Sequence, residues 1–279
     1  MKHFEFNWKQ EGETIFAQGW EPNAPQAVIC IVHGFNEHSS RYERAASRFT
    51  DAGYAVLAFD HFGHGKTTGK RGHVKRYEDF LDSVQRLADE ASGRYPNLKL
   101  YLWGHSMGGN IVTNYILRRK HAFTGAIITG PLFRLGFEPP ALKLFLAKMM
   151  VNIYPAFTEN AALDSSAISR DADVVRAYNE DPFNHGKITA GTFFGFYQAA
   201  QWALEHAQEL KTPLLVMHGT ADRLTSPEGS KEFASRAPSQ LVTLKLWEGF
   251  YHELHNEPEP DRTQVINYML DWLRKTSAL

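Results

Sequence analysis

The sequence predicts an α/β fold with a mostly parallel, twisted sheet flanked by helices and a helical cap inserted after the sixth strand. Three observations favour this architecture. Uninterrupted apolar runs, typical of strands buried on both faces, alternate with stretches of helical periodicity. The motif Gly104-x-Ser106-x-Gly108 joins one of these runs to a helix. About 80 residues separate the sixth predicted strand from the seventh, far more than an ordinary crossover needs.

The predicted strands form a hairpin followed by a series of buried runs. Residues 3–8 and 14–20 are predicted to pair as a hairpin that turns at Glu11 and Gly12. The buried runs lie at 27–32, 54–59, 98–102, 123–129, 213–218 and 241–247. Helices alternate with these strands, and connections of fixed hand between them give a parallel sheet.

The predicted helices are identified from apolar residues at helical spacing. In the body of the protein they lie at 41–52, 77–88, 110–117, 226–237 and 265–273. Gly53 ends the first of them, and Ser226 caps a later one with Pro227 at its first helical position. The sequence therefore supplies a helix for almost every crossover of the sheet.

The long insertion is predicted to cover the carboxyl edge of the sheet. We assign residues 1–130 and 211–279 to the core and residues 131–210 to the helical cap. Within the cap, helices are predicted at 142–154, which is apolar on most faces, at 171–178 and at 189–206.

Composition excludes few classes of function. The chain has 279 residues and a formal net charge of −1, so nothing electrostatic favours a nucleic acid partner. The single cysteine, Cys30, excludes an internal disulfide framework and is compatible with a reducing compartment. Residues 1–6 lack the apolar core of a signal peptide, and no apolar run is long enough to span a bilayer. We therefore expect a cytoplasmic protein.

The stretch around Ser106 carries the most specific chemical signal. A Gly-x-Ser-x-Gly motif between a buried strand and a helix is typical of a nucleophile elbow, a strained turn that exposes the serine. Small residues at Gly104 and Gly108 let strand and helix approach closely. The N-terminus of the helix then faces the place where an oxyanion would form. A turn without chemistry is the alternative, and the context favours function.

A serine hydroxyl is a poor nucleophile at neutral pH and needs a base that a third group orients. Asp222 follows the first strand after the insertion, and His252 follows the next strand. The chain order Ser106, Asp222, His252 is the order of nucleophile, acid and base in folds with this elbow. We therefore predict these three as catalytic residues. Glu248 is the alternative acid, but it stays close to its strand.

Other members of the set of 13 histidines compete for the role of base. His255 is the main rival, because it lies only three positions after His252; it is expected to line the pocket instead. His33, His61 and His64 lie in loops at the same edge of the sheet, but they precede the elbow. The glycine-containing turn directly before His252 favours that residue.

Two backbone N–H groups are expected to form the oxyanion hole. One belongs to Met107, which follows the nucleophile, and the other to Phe35, in the loop after the first buried strand. Ser106 would attack a carbonyl carbon, and His252 would carry its proton to the leaving alcohol before water hydrolyses the acyl-enzyme. The histidines lack the His-Glu-x-x-His spacing of a zinc site, so no metal or other cofactor is predicted.

Several stretches together resemble the monoacylglycerol lipases of the α/β-hydrolase fold. They are His33-Gly34-x-x-Glu37-His38-Ser39-x-Arg41-Tyr42, Asp60-His61-x-Gly63-His64-Gly65, Gly104-His105-Ser106-Met107-Gly108-Gly109, Ala221-Asp222-Arg223-Leu224 and Tyr251-His252-x-Leu254-His255. Two stretches in the cap extend the resemblance, Asp164-Ser165-Ser166 and Tyr178-Asn179-x-Asp181-Pro182. The resemblance runs from about the first buried strand to the last helix.

The resemblance implies a hydrolase that cleaves a small lipid ester, monoacylglycerol, to fatty acid and glycerol. It places the triad and the oxyanion donors at the residues named above, and it implies glycerol binding near Glu37, Arg41 and His255. A surface ion pair at a helix start is the alternative for Glu37 and Arg41. Residues 142–154 would form the mouth of an acyl tunnel, and would either dip into a membrane surface or pack onto the body.

The sequence departs from the family pattern at Phe35-Asn36, where a small residue and a glycine are common. Asparagine tolerates positive φ, so the turn can persist, while a phenyl ring there would narrow the alcohol pocket. A lysophospholipase or a general carboxylesterase is the alternative within the same chemistry. A proline-type aminopeptidase would need an acidic anchor such as Glu37. A receptor for a small apolar ligand is the alternative that is not an enzyme.

Overall fold

Ten strands are present in the computed structural model, which describes residues 1–277 except 138–147, 152 and 162. They are β1 (Lys2–Gln10), β2 (Glu13–Glu21), β3 (Ala27–Val32), β4 (Tyr54–Phe59), β5 (Lys99–His105), β6 (Phe123–Thr129), β7 (Thr158–Asn160), β8 (Lys187–Thr189), β9 (Leu214–Gly219) and β10 (Val242–Trp247). Eight of them form one sheet in the order β1-β2-β4-β3-β5-β6-β9-β10. The predicted hairpin and all six predicted buried strands are present in this sheet.

The sheet is mostly parallel, as predicted. β1 pairs with β2 and β2 pairs with β4 in antiparallel fashion, whereas the pairs from β4 through to β10 are parallel. Strands β3 and β4 are buried along their whole length, which is why their sequences are continuous apolar runs rather than alternating ones. The parallel strands all end at one edge, so the loops after them lie side by side.

Helices cover both faces of the sheet. Including those of the insertion, the helices with nine or more described residues are α1 (Glu43–Asp51), α2 (Tyr77–Arg94), α3 (Met107–Arg118), α4 (Ala172–Glu180), α5 (Ala190–Glu205), α6 (Pro227–Arg236) and α7 (Asp261–Ser277). One core cluster packs α2, α3 and α6 against one face, with Phe80 and Phe233 among its members. The second packs α1 and α7 against the other face, with Phe49 and Met269. Among the described residues, no helix is long and apolar enough to cross a membrane.

The insertion follows β6, as predicted, and contains α4 and α5 at two of the predicted helical positions. It also contains β7 and β8, which pair antiparallel as a small separate sheet that the sequence did not predict. Three-residue strands are too short to show a period of two, which explains the omission. Of the predicted helix at 142–154, residues 148–151 and 153 are helical, while 142–147 and 152 lie outside the described residues. The boundaries of core and cap stay a prediction.

Candidate active site

Ser106 lies at the turn between β5 and α3, in a conformation that few residues other than glycine adopt. Its backbone has φ 55° and ψ −117°. Three hydrogen bonds hold this turn in place: the Ser106 N–H donates to the Thr129 carbonyl at 2.9 Å, and the Ser106 carbonyl accepts from Leu132 at 3.0 Å and Asn110 at 3.1 Å. A strained residue persists only where its surroundings fix it, which these bonds do.

The two glycines of the motif allow α3 to approach the sheet closely. A Cβ atom on Gly108 would lie 1.9 Å from the Val32 carbonyl oxygen at the end of β3. A Cβ atom on Gly104 would lie 2.3 Å from the Gly108 carbonyl oxygen. Any side chain at these positions would push the helix away from the strands. The sequence motif therefore has the steric basis of a nucleophile elbow.

Asp222 and His252 form a buried hydrogen-bonded pair. His252 Nδ1 lies 2.7 Å from Asp222 Oδ2, in the loops that follow β9 and β10. The other carboxylate oxygen accepts the backbone N–H groups of Leu224 at 2.8 Å and Thr225 at 3.0 Å. The Thr225 hydroxyl donates to Oδ2 at 2.9 Å, and His218 Nε2 lies 3.1 Å from the same oxygen. The carboxylate is thus fixed from several sides.

Burial and charge act in opposite directions on this pair. Burial opposes the ionised form of Asp222, but the charge of His252 and the hydrogen bonds from His218 and His252 hold the pKa of Asp222 well below its usual range. Burial likewise opposes a charged imidazole, but Asp222, followed by Glu253 and Glu37, raises the pKa of His252 above its usual value. Asp222 is therefore ionised at neutral pH and stabilises an imidazolium at His252.

Ser106 and His252 border the same turn. Thr129 accepts the Ser106 N–H, and the neighbouring Gly130 is so close to His252 that a Cβ atom on it would lie 3.0 Å from His252 Nδ1. The ring of His105 lies 4.7 Å from that of His252. Within the part of the chain that the structure describes, the Ser106 hydroxyl forms no hydrogen bond with His252. Catalytic hydrogen bonds are often long in the absence of substrate.

The loop after β3 packs directly against Ser106. A Cβ atom on Gly34 would lie 3.1 Å from the Ser106 Cβ. Phe35 follows in this loop, and its ring contacts His64 and His185 at centroid distances of 5.7 and 6.2 Å. Met107 is the first residue of α3, so its N–H has no carbonyl acceptor within the helix. Both predicted oxyanion donors therefore border the serine.

Glu37, Arg41 and Glu253 form a buried ion network beside these residues. Arg41 binds Glu253 through two bonds of 2.7 and 2.8 Å and Glu37 through one of 2.8 Å. Glu37 also accepts the N–H of Gly34 at 2.6 Å and the hydroxyl of Tyr42 at 2.8 Å. The ion pair between Glu37 and Arg41, considered above as the alternative to glycerol binding, is present, but it is buried rather than at the surface, because the loop that contains Glu253 covers it.

His255 lies in the core next to this network. Its ring stacks on Tyr42 at a centroid distance of 5.0 Å and meets Trp103 edge-on at 5.2 Å. Burial lowers its pKa to about 4, so it is neutral at physiological pH. Among the described residues, its Nδ1 has no hydrogen-bond partner. Glu248, the alternative acid, is exposed.

The sequence interpretation did not single out His218, Thr225 or Glu253. His218 lies four positions before Asp222, and Thr225 lies three positions after it, so this short spacing is a signal in the sequence for both as partners of Asp222. Glu253 directly follows His252, but nothing in the local sequence shows that Arg41 reaches it.

The comparison with protein families identifies the chain. The family model described as "serine aminopeptidase, S33" matches residues 23–259. The chain belongs to this family. The monoacylglycerol lipase of Mycolicibacterium smegmatis is 36% identical over 94% of this chain and 93% of that protein. An abhydrolase domain-containing protein of Dictyostelium discoideum is also 36% identical, but this chain spans only 28% of its length.

The solved structures agree with the family assignment. The crystal structure of the Paleococcus ferrophilus monoacylglycerol lipase superimposes with a TM-score of 0.86 at 30% sequence identity, covering 94% of this chain and 99% of that one. The α/β-hydrolase fold and the resemblance to monoacylglycerol lipases, both predicted from the sequence, are thereby confirmed.

Proposed function

We propose that this protein is a serine hydrolase that cleaves monoacylglycerol to fatty acid and glycerol through Ser106, His252 and Asp222. The observation that carries the proposal is the buried Asp222–His252 pair, with a distance of 2.7 Å, next to the strained turn of Ser106. The relatives named as monoacylglycerol lipases support the choice of substrate.

The proposed reaction begins with attack of Ser106 Oγ on the ester carbonyl carbon. His252 Nε2 takes the serine proton, while Nδ1–H remains bonded to Asp222. The negative charge on the carbonyl oxygen is stabilised by the N–H groups of Phe35 and Met107. Each such donor contributes roughly 3 kcal/mol to the transition state.

Collapse of the tetrahedral intermediate breaks the bond to glycerol. His252 returns its proton to the glycerol oxygen, which leaves as an alcohol, and the acyl group stays on Ser106. Water then attacks the acyl carbon and gives a proton to His252, the bond between this carbon and Ser106 Oγ breaks, and His252 returns the proton to the serine as the fatty acid leaves. The low pKa of Asp222 keeps its charge in place through both steps, which stabilises the imidazolium twice in each turnover.

The aminopeptidase alternative, suggested also by the family's description, is disfavoured by the contacts of Glu37. An amine anchor needs a carboxylate that faces the substrate. Both oxygens of Glu37 are instead engaged with Gly34, Tyr42 and Arg41. Lysophospholipase and general carboxylesterase activities use the same catalytic residues, so only a substrate panel separates them from monoacylglycerol hydrolysis.

Glycerol binding by Glu37, Arg41 and His255 stays a prediction. The contacts of Glu37 and Arg41 are internal and favour a structural role for both. Of these three residues, only His255 keeps a buried polar atom, Nδ1, without a hydrogen-bond partner among the described residues, so we retain it as the alcohol-site candidate. A cytoplasmic location and contact of the cap with a membrane also stay predictions, the latter supported by the exposed side chains of Met149, Ile153 and Tyr154.

The proposed function is tested by covalent labelling and a substrate panel. A fluorophosphonate should label the wild type stoichiometrically, and Ser106→Ala should abolish both labelling and ester hydrolysis. Ser235→Ala, which changes an exposed serine on α6, serves as the matched control and should retain both. Among monoacylglycerols, lysophospholipids and p-nitrophenyl esters, the highest kcat/KM is expected for monoacylglycerols. Absence of labelling in the wild type would exclude the enzyme and favour a ligand receptor.

A further inference from the structure

The end of α4 and the loop after it contact the loop that follows β3. The Tyr178 hydroxyl accepts a hydrogen bond from the Asn36 side-chain amide at 2.8 Å and donates one to the Asn36 backbone carbonyl at 3.0 Å. Three positions further on, Asp181 Oδ2 lies 2.9 Å from His38 Nε2. Tyr178 and Asp181 belong to the Tyr-Asn-x-Asp-Pro stretch of the cap, to which the proposed mechanism gives no role.

Asn36 needs external support, because it has a left-handed backbone. Its φ is 64°, a region where a residue with a Cβ atom is strained. Tyr178 binds this residue at both its side chain and its carbonyl, and so fixes the peptide unit as well as the amide group. The support comes from the cap rather than from the sheet.

Phe35 lies between two anchored residues. On the β3 side, the Gly34 N–H is held by Glu37 at 2.6 Å. On the cap side, Asn36 is held by Tyr178. The amide between them is the proposed oxyanion donor, and its position therefore depends on both anchors. A donor contributes fully only at about 2.7–3.1 Å from the developing oxyanion.

The cap side of this contact is itself rigid. Tyr178 is buried, with the Arg41 guanidinium 4.8 Å from the centroid of its ring. Its carbonyl accepts the side-chain amide of Asn184 at 2.9 Å. Asp181 uses its second oxygen to accept the Phe183 N–H at 2.8 Å. The segment thus presents a fixed hydroxyl and a fixed carboxylate to the loop.

We propose that Tyr178 and Asp181 are positioning residues, through which the cap holds Phe35 N–H in line for the oxyanion. This inference rests on the proposed function, because it assumes that Phe35 donates to the reacting carbonyl oxygen. If this is so, the position of the cap relative to the loop after β3 determines kcat, in addition to any part that the cap plays in binding the acyl chain.

The first test compares turnover with substrate binding. Tyr178→Phe keeps the ring under Arg41 and removes only the hydroxyl, so kcat on a monoacylglycerol should fall about 5- to 10-fold while KM stays within about twofold. This is less than the roughly 100-fold loss typical of deleting an oxyanion donor outright. Asp181→Asn should lower kcat by about threefold. Tyr197→Phe, which changes an exposed tyrosine of α5, is the matched control and should leave kcat unchanged.

The second test uses an inhibitor that forms the oxyanion. With a trifluoromethyl ketone, Ser106 Oγ adds to the ketone carbon, the serine proton passes to His252, and the carbonyl oxygen becomes the anion. Its inhibition constant should rise in Tyr178→Phe by the same factor by which kcat falls. A 1-O-alkylglycerol ether, which has no carbonyl group, should bind to the wild type and the variant alike. A purely structural effect of Tyr178 would weaken both ligands.

A double-mutant cycle tests whether Tyr178 acts through Asn36. Glycine adopts φ 64° without strain, so position 36 needs less support from Tyr178 when it is glycine. Tyr178→Phe should therefore lower kcat by a smaller factor in the Asn36→Gly background than in the wild type. Additive effects, an unchanged kcat in Tyr178→Phe, or a change confined to KM would each overturn the inference. If the wild type hydrolyses no ester and is not labelled by a fluorophosphonate, the proposed function itself is refuted. Failure of the proposed function can therefore be distinguished from failure of the positioning role.

Discussion

Two buried carboxylate sites lie at the same edge of the sheet and differ in how their charges are compensated. At the first site, one carboxylate, Asp222, receives two backbone N–H groups, a hydroxyl and two imidazoles. At the second, two carboxylates, Glu37 and Glu253, share the single guanidinium of Arg41. At the first site, five donors surround one negative charge, whereas at the second, one positive charge compensates two negative charges.

The pKa values follow this difference. The pKa of Asp222 lies well below its usual range despite burial. Burial raises the pKa of Glu37, since Arg41 compensates it only in part and Glu253 repels it. For Glu253, burial is outweighed by the two bonds from Arg41, which lower its pKa. Asp222, which fixed donors surround, is thus suited to orient a catalytic base. Glu37 and Glu253, which share the charge of Arg41, act as a structural link.

The two sites also differ in what they hold together. Asp222 fixes the orientation of one imidazole ring. Arg41 joins the loop after β3, through Glu37, to the loop after β10, through Glu253, across 212 positions of the chain. We therefore expect variants at the first site to lose turnover and variants at the second to lose stability.

The largest expected effect is that of Asp222→Asn on turnover. An amide has only one oxygen, so it cannot accept both the backbone N–H groups of Leu224 and Thr225 and the Nδ1–H of His252. His252 then loses the tautomer that leaves Nε2 free to act as base, and kcat should fall by about 10³- to 10⁴-fold. Steady-state hydrolysis of a monoacylglycerol, with active sites counted by fluorophosphonate labelling, measures it. Asp82→Asn, at an exposed carboxylate of α2 paired with Arg119, is the control and should keep full activity. Retention of a tenth of the wild-type kcat by Asp222→Asn would contradict the role of Asp222.

The next effect is the loss of stability in Arg41→Met. Removing the guanidinium leaves two buried carboxylates unpaired, so the free energy of unfolding should fall by about 3–5 kcal/mol. Denaturant unfolding measures it. Arg41→Lys should lose less, because it keeps the charge but not the two parallel bonds to Glu253.

A surface ion pair provides the matched comparison for Arg41. Arg119 and Asp82 lie 2.9 Å apart with both side chains exposed, so Arg119→Met should change the free energy of unfolding by no more than about 0.5 kcal/mol. If Arg41→Met were no more destabilising than Arg119→Met, the buried network would not link the two loops as we infer.

The sheet and the turn at Ser106 could be predicted because their signals are local. Continuous apolar runs mark strands buried on both faces, and Gly104 and Gly108 mark a close contact between strand and helix. Parallel strands that end at one edge bring Asp222 and His252 together, so chain order alone suggested their pairing. The assignment of Ser106, His252 and Asp222 as the catalytic residues stays a proposal.

The contacts that could not be predicted join residues far apart in the chain. Arg41 meets Glu253, and Asn36 meets Tyr178 across 142 positions. Such pairs depend on how the loops and the cap fold over the edge of the sheet, and neither partner has a local pattern that identifies the other. The burial of the pair of Glu37 and Arg41 is not predictable from the sequence either, since an i,i+4 spacing is the same on a surface and in a core.

The smallest expected effect is a shift of the pH profile, and it links the two sites. His252 must be neutral to act as base, and its pKa is raised above the usual 6.5, so kcat/KM should fall as the pH drops below that raised value. Glu253 and Glu37 add to the effect of Asp222. His105, whose ring contacts that of His252, and the nearby His255 are neutral, because burial lowers the pKa of both. Glu253→Gln removes one of these charges, and the acid limb should then move to lower pH by less than about one unit.

The pH dependence of the unfolding free energy provides an independent check on the pKa of His252. Because the pKa of His252 is higher in the folded state than in the unfolded state, protonation of its imidazole stabilises the fold. This stabilisation is complete below the unfolded-state pKa, near 6.5, and is lost as the pH rises through the folded-state pKa of His252. Glu253→Gln should reduce this pH-dependent part of the unfolding free energy, whereas Glu248→Gln, at an exposed position after β10, should leave both the acid limb and the stability profile in place. An acid limb that stayed fixed in Glu253→Gln, or moved to higher pH, would show that the ion network does not act on the base, because the loss of a nearby negative charge can only favour the neutral imidazole.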